Sequence, residues 1–173
     1  VSFNKVAPCY DYGENFFFGN LLQFSRIHFI EYYNNATSVL LLGEGCGQFL
    51  NQLLKVNKFC ETTVLDSSSK MVEKQIKKIR SKDLDRVTFK CLPIEAFTTN
   101  QSFDLICSHF FWDCFSYQEI SDILPMYTKI LCKEGFWINS DFIDDRRDFN
   151  LNFLKIRIMF WFFRLTTGIN SRF

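Results

Sequence analysis

Apolar positions along the chain fall into two kinds of run. Short, nearly continuous apolar stretches at residues 38–42 (SVLLL), 62–65 (TTVL), 87–91 (VTFKC), 103–107 (FDLIC) and 136–142 (FWINSDF) predict five strands. Helical spacing fills the intervals. Residues 49–55 carry apolar pairs four apart, and Ser116 with Glu119 forms a capping box ahead of Ile120, Ile123, Leu124, Tyr127, Ile130 and Leu131. Pro125 inside that second pattern predicts a kink or break near Leu124. Residues 70–86 are rich in Lys and Arg with Glu73, Asp83 and Asp85 interspersed, which fits a solvated helix face better than a phosphate-binding patch. Strands alternating with helices, without internal repeats or a Gly/Ser linker, predict a single α/β domain with a parallel sheet.

Composition narrows the partner. The 173 residues are 47% hydrophobic, and 20 Lys plus Arg against 19 Asp plus Glu leave a net charge of +1. This gives no broad basic footprint for nucleic acid, so a small-molecule partner is expected. With 22 Phe, 7 Gly and 3 Pro, a packed aromatic core is expected and low-complexity classes are excluded. Cys9, Cys46, Cys60, Cys91, Cys107, Cys114 and Cys132 include no CxxC pair, and with His28 and His109 they make no metal-ligand spacing, so no metal is expected. They read as small buried hydrophobes in a reducing compartment, which points to the cytoplasm. No stretch reaches the ~20 apolar residues of a membrane span, and the first residue, Val1, suggests a trimmed start.

The candidate chemistry begins where the first strand runs into Gly43-Glu44-Gly45-Cys46-Gly47 and then a helix. Glycines there let the backbone approach a ligand, and the helix start presents unpaired N–H groups, suiting an adenosyl cofactor or a phosphate. The competing reading is a merely tight turn. At the end of the second strand Asp66 is placed to accept hydrogen bonds from ribose hydroxyls, or else to act as a plain capping residue, and Ser68 is a natural N-cap for the next helix.

A dinucleotide fingerprint needs glycine at position 48, where Gln48 stands. The Gly-x-Gly-x-Gly turn, with Asp66, Ser68 and Met71 in an Asp-x-Ser-x-x-Met arrangement, resembles the class I, Rossmann-like S-adenosylmethionine-dependent methyltransferases. Residues 103–106 resemble that family's fourth-strand motif and residues 130–138 its turn into the fifth strand, so the resemblance covers roughly 38–142. Residues 7–12, 109–115 and 163–169 resemble a bacterial subset acting on small molecules.

The resemblance implies a doubly wound, mostly parallel sheet with helices on both faces. It divides the chain into an N-terminal helical cap (1–37), a cofactor-binding core (38–142) and a C-terminal helical segment (143–173). Gly43, Glu44, Gly45, Cys46 and Gly47 would wrap the methionine part of S-adenosylmethionine and Asp66 would hold the ribose. Ser67 and Met71 would border the adenine, Ile94 and Glu95 would close its other side, and Ser108 and His109 would lie near the fourth-strand end.

Three departures stand out. Leu41 replaces the family's frequent acidic residue, leaving the cofactor's amino group to Glu44 or to backbone carbonyls. Pro93 replaces a frequent Asp after the third strand. The family sheet has seven strands, so this chain is expected to lack the last two and to leave a bare edge at the fifth.

The implied activity is methyl transfer to a small-molecule acceptor by in-line displacement, with alignment as the main catalytic device. Tyr10, Tyr12, Phe110 and Phe111 are candidate aromatic walls for the sulfonium and the acceptor. His109 and Asp113 are candidates for a catalytic base, against a hydrogen-bonded structural histidine and a polar helix cap. Leu151, Leu154, Ile158, Trp161, Phe162 and Leu165 recur at helical spacing; sheet cover, acceptor lid and membrane-surface helix compete for that segment. A non-catalytic binding module and a dinucleotide oxidoreductase are the alternative functions. The acceptor's identity and the oligomeric state are unassigned.

Overall fold

The computed structural model describes residues 3–142 together with residues 157–159, 161 and 167. Three N-terminal helices, α1 (Tyr10–Phe18), α2 (Leu21–Ile27) and α3 (Ile30–Tyr33), precede an alternating run. The run comprises β1 (Ser38–Leu42), α4 (Gln48–Val56), β2 (Glu61–Asp66), α5 (Ser69–Lys78), β3 (Val87–Cys91), β4 (Phe103–His109), α6 (Tyr117–Thr128) and β5 (Leu131–Ser140). The five strands form one sheet in the order β3-β2-β1-β4-β5, and every adjacent pair is parallel.

The continuous apolar run of β1 follows from its central position. Side chains alternate between sheet faces, so a strand covered on both sides is apolar at every residue. Val39 and Leu41 pack with Phe49, Leu50, Leu53 and Leu54 of α4, whereas Leu40 and Leu42 pack on the other face with Phe103, Ile106, Ile123 and Tyr127. Each fully buried Leu contributes roughly 1.5–3 kcal/mol, which fixes the register of β1 between β2 and β4. Asp104 joins the strand starts, accepting from the backbone N–H groups of Thr37 (2.8 Å) and Ser38 (3.0 Å) and from the Thr37 hydroxyl.

Two expectations about elements need correction. Helix α6 continues through Pro125 without a break. Pro125 and Ser121 are both exposed, so the Ser121 carbonyl that proline leaves unpaired is open to water. The fifth strand begins at Leu131 and ends at Ser140, earlier than the predicted 136–142. Phe103 pairs with Leu131 and Leu105 with Phe136, so residues 132–135 bulge opposite Asp104. A Cβ on Gly135 would stand 2.9 Å from the Asp104 carbonyl oxygen, which is why glycine occupies that point.

Among the described residues β5 pairs with β4 alone. Of the expected C-terminal helix, the described positions 157–159, 161 and 167 are helical. Met159 packs against Phe3, Phe18, Cys114 and Phe142, while Ile158 and Trp161 are exposed. Leu151, Leu154, Phe162 and Leu165 lie outside the described residues. No helix among the described residues is long and apolar enough to cross a membrane.

Candidate active site

Strand order reverses between β1 and β4, and open α/β sheets bind ligands beyond the carboxyl ends of strands at such a point. The turn after β1 is built for close approach. Gly43, Gly45 and Gly47 have φ of 62°, 61° and 79°, and a Cβ on Gly43 would stand 2.1 Å from a ring carbon of Phe111. The Gly43 N–H donates to the Leu65 carbonyl (2.9 Å), tying the turn to the end of β2. Gly47 is the N-cap of α4 and has no side chain to cap with. Glu44 supplies the missing acceptor, taking the Leu50 N–H on Oε1 at 2.8 Å. Burial raises the Glu44 carboxyl to about 7 against the lowering pull of that bond and of Arg26.

Asp66 is the last residue of β2 and is buried. Its Oδ1 accepts from the Ser68 N–H (2.9 Å) and its Oδ2 from Gln75 Nε2 (3.2 Å). Burial pushes its carboxyl up to about 6 in spite of those bonds. Gln75 Nε2 also donates to the Gly45 carbonyl at 2.8 Å, so one buried amide braces both the glycine turn and the acid. Ser68 caps α5 through the Met71 N–H (3.2 Å), and its hydroxyl donates to Asn4 Oδ1 (2.7 Å), which anchors the N-terminal segment over the helix start.

Beyond β4, Phe110 has a φ of 54°, a rare conformation for a bulky residue. Its ring is tilted against Phe142, with centroids 4.9 Å apart, and lies under the Arg26 guanidinium at 5.2 Å. Arg26 arrives from α2 and bonds both carboxylate oxygens of Glu14 on α1, at 2.5 and 3.1 Å. Burial opposes the Arg26 charge, and the Glu14 carboxylate more than offsets it. His109 has an edge-to-face contact with Phe49 and neither ring nitrogen has a hydrogen-bond partner. Burial first, then Arg26, lowers its pKa to about 3, so the imidazole is neutral.

These groups surround two adjoining cavities. The larger encloses about 980 Å³, open solvent at its mouth included, and its wall carries the sequence candidates Tyr10, Gly43, Gly45, Asp66, Ser67, Met71, Ile94, Glu95, Phe110 and Phe111. The smaller, polar one shares Tyr10, Gly43 and Gly45 with it and brings Glu44, Cys46 and His109 together with Glu14 and Arg26.

Four sequence candidates stand apart from both cavities. Tyr12 is 79% exposed. Ser108 is fully buried and bonded: its hydroxyl accepts from the indole N–H groups of Trp112 (3.0 Å) and Trp137 (2.9 Å) and donates to Asn139 Oδ1 (2.9 Å). Gly47 faces Gln75 behind the turn, and Asp113 is buried beside the Cys114 thiol. For the hydrogen-bonded structural histidine weighed at His109, the ring finds no hydrogen-bond partner among the described residues.

Arg26, Glu14, Gln75 and Glu119 were missed. A signal existed for Arg26, a charge four residues after Leu22 on the inner face of α2. Among the described residues no three His, Cys, Asp or Glu side chains gather as a metal site.

The sequence pattern of the methyltransferase domain matches residues 39–135. No curated protein matches the chain. Solved structures share the fold. DhpI, in a complex with SAM and HEP, is 18% identical with a TM-score of 0.68 over 84% of this chain and 64% of its own. The plantazolicin methyltransferase BpumL, with SAH, is 24% identical with a TM-score of 0.62 over 78% of this chain and 51% of its own. Coclaurine N-methyltransferase, bound to N-methylheliamine and SAH, is 19% identical with a TM-score of 0.59 over 70% and 36%. The chain thus spans from about a third to just under two thirds of these solved relatives. With the domain pattern covering more than half of its length and the strand-end glycine turn and acid in place, this chain belongs to the methyltransferase-domain family, with its class I, Rossmann-like fold.

Proposed function

We propose that this protein transfers a methyl group from S-adenosylmethionine to a small-molecule acceptor. The observation that carries this reading is the meeting of Gly43 and Gly45 with the buried Asp66 carboxylate on one cavity at the β1/β4 switch point. The residues present suit the cofactor. Asp66 offers ribose hydroxyls a carboxylate, and Ser67, Met71 and Ile94 offer a mostly apolar slot for adenine. Glu44 and Arg26 set a carboxyl and a guanidinium in the smaller cavity, suited to the two ends of an amino-acid zwitterion, and the His109 nitrogens, without a partner among the described residues, stand ready to bond it. The bound cofactor supplies an electrophilic methyl on a sulfonium.

The protein's own contribution is alignment and shielding from water, and holding two reactants in near-attack geometry contributes ~7–11 kcal/mol. The aromatic rings of Tyr10, Phe110 and Phe111 face the larger cavity and favour a cation by roughly 0.5–2 kcal/mol each. A histidine with a pKa near 3 is too weak a base for an alcohol or amine near neutrality. His109 therefore serves in hydrogen bonding to the cofactor's head, and Asp113, walled off from both cavities, supports the loop after β4.

Calorimetric titration with S-adenosylmethionine, S-adenosylhomocysteine and NAD tests the reading. Binding of the first two and none of NAD is expected; a preference for NAD overturns it.

A further inference from the structure

The larger cavity is asymmetric in charge. Among the described residues its wall carries three carboxylates, Asp66, Glu95 and Glu119, and no Lys, Arg or His. Arg26, a buried cation, is held by Glu14 and belongs to the smaller cavity. Asp66 is accounted for by the ribose, which leaves two acids that the cofactor's sugar does not use. Around them stand five aromatic side chains, Phe3, Tyr10, Phe110, Phe111 and Phe115. Rings set beside carboxylates are surroundings that favour an organic cation, through cation–π attraction and direct Coulomb attraction in a partly dry site. The same wall repels a carboxylate or phosphate acceptor.

Glu119 is fixed for this task. Its Oε2 accepts from the Ser116 N–H (2.7 Å) and the Ser116 hydroxyl (2.6 Å), the two bonds that cap α6. Those bonds, the hydroxyl's first, hold its carboxyl below the usual range, so it stays ionised. Oε1 has no hydrogen-bond partner among the described residues and is free to accept one from a ligand.

We propose that the methyl acceptor is an amine on an apolar body, held as its ammonium form by Glu119 with Glu95 and methylated on nitrogen; this rests on the methyltransferase reading above. The ammonium N–H donates to Glu119 Oε1 and releases one proton to water at the cavity mouth. The freed nitrogen lone pair then forms the N–CH3 bond as the S–CH3 bond breaks, and that bond's electron pair stays on sulfur. Two cations thus become one methylated ammonium, a neutral thioether and one released proton.

The test uses the whole chain saturated with S-adenosylhomocysteine, titrated calorimetrically near neutral pH with four matched probes. They are 2-phenylethylamine, its trimethylammonium analogue, 2-phenylethanol and 3-phenylpropanoate. The two cations are expected to bind at least about tenfold more tightly than the alcohol, and the anion to bind weakest. Glu119→Gln is expected to reduce the cation preference by about fivefold or more while S-adenosylhomocysteine affinity stays within about twofold. Gln keeps the capping box, and Glu95→Gln gives a second, independent variant.

If S-adenosylhomocysteine does not bind, the methyltransferase reading itself fails. If it binds and the alcohol or anion matches the cations, or if neither variant changes the preference, the amine proposal alone is overturned.

Discussion

At the scale of single residues, the site is made of carboxylates held against their preference. Asp66→Ala removes a charged acceptor of the ribose, and cofactor affinity is expected to fall by about 1–3 kcal/mol in calorimetry. Unchanged affinity in a folded variant removes Asp66 from the site. Glu44 has a pH signature of its own. With its folded carboxyl raised to about 7, the folded state keeps a proton that the unfolded chain has lost. Fewer protons are bound in the unfolded state, so this group makes stability fall as pH rises from about 4.5 through 7. Glu44→Gln retains an acceptor for the Leu50 N–H without the charge. Its stability relative to the wild type is expected to rise across that window in denaturant melts of the unliganded protein, and a constant difference refutes the assignment.

What was legible at this scale was local: the glycine turn, Asp66 and the Ser68 cap lie within 26 residues of sequence and announce themselves by spacing. Glu14 and Gln75 reach the site through tertiary packing, which leaves no spacing to read.

Elements were legible where a short strand-like run has clear ends. β1, with four fully buried residues, and β3 were found at their true ends, whereas β5 began five residues early because residues 132–135 bulge rather than turn. Pro125 misled for a related reason. Proline costs an interior helical position about 3 kcal/mol relative to alanine, yet the packing of Ile123 and Tyr127 holds α6 together across it. Pro125→Ala is therefore expected to stabilise the fold by about 1–2 kcal/mol, after allowing for the greater freedom it gives the unfolded chain. Urea denaturation checks this; a destabilised variant means the proline shapes the helix in a way the native packing needs.

Across the whole molecule, the cavities are joined from two sources, a floor of strand-end turns and a roof from the N-terminal segment. A ligand bound between them stabilises both. At a hundred times its dissociation constant, S-adenosylhomocysteine is expected to add about 2.7 kcal/mol to stability. Hydrogen exchange should slow in residues 10–27 as well as in residues 43–47, and protection limited to the glycine turn would separate the roof from the site. The roof residues Phe3, Tyr10, Glu14 and Arg26 all precede residue 39, where the family's shared pattern begins. Inheritance can therefore act on the two parts separately. Substitutions in the leading helices change how the site is covered while the strand-end turn and acid beneath stay as they are, so cover and floor can diverge at different rates.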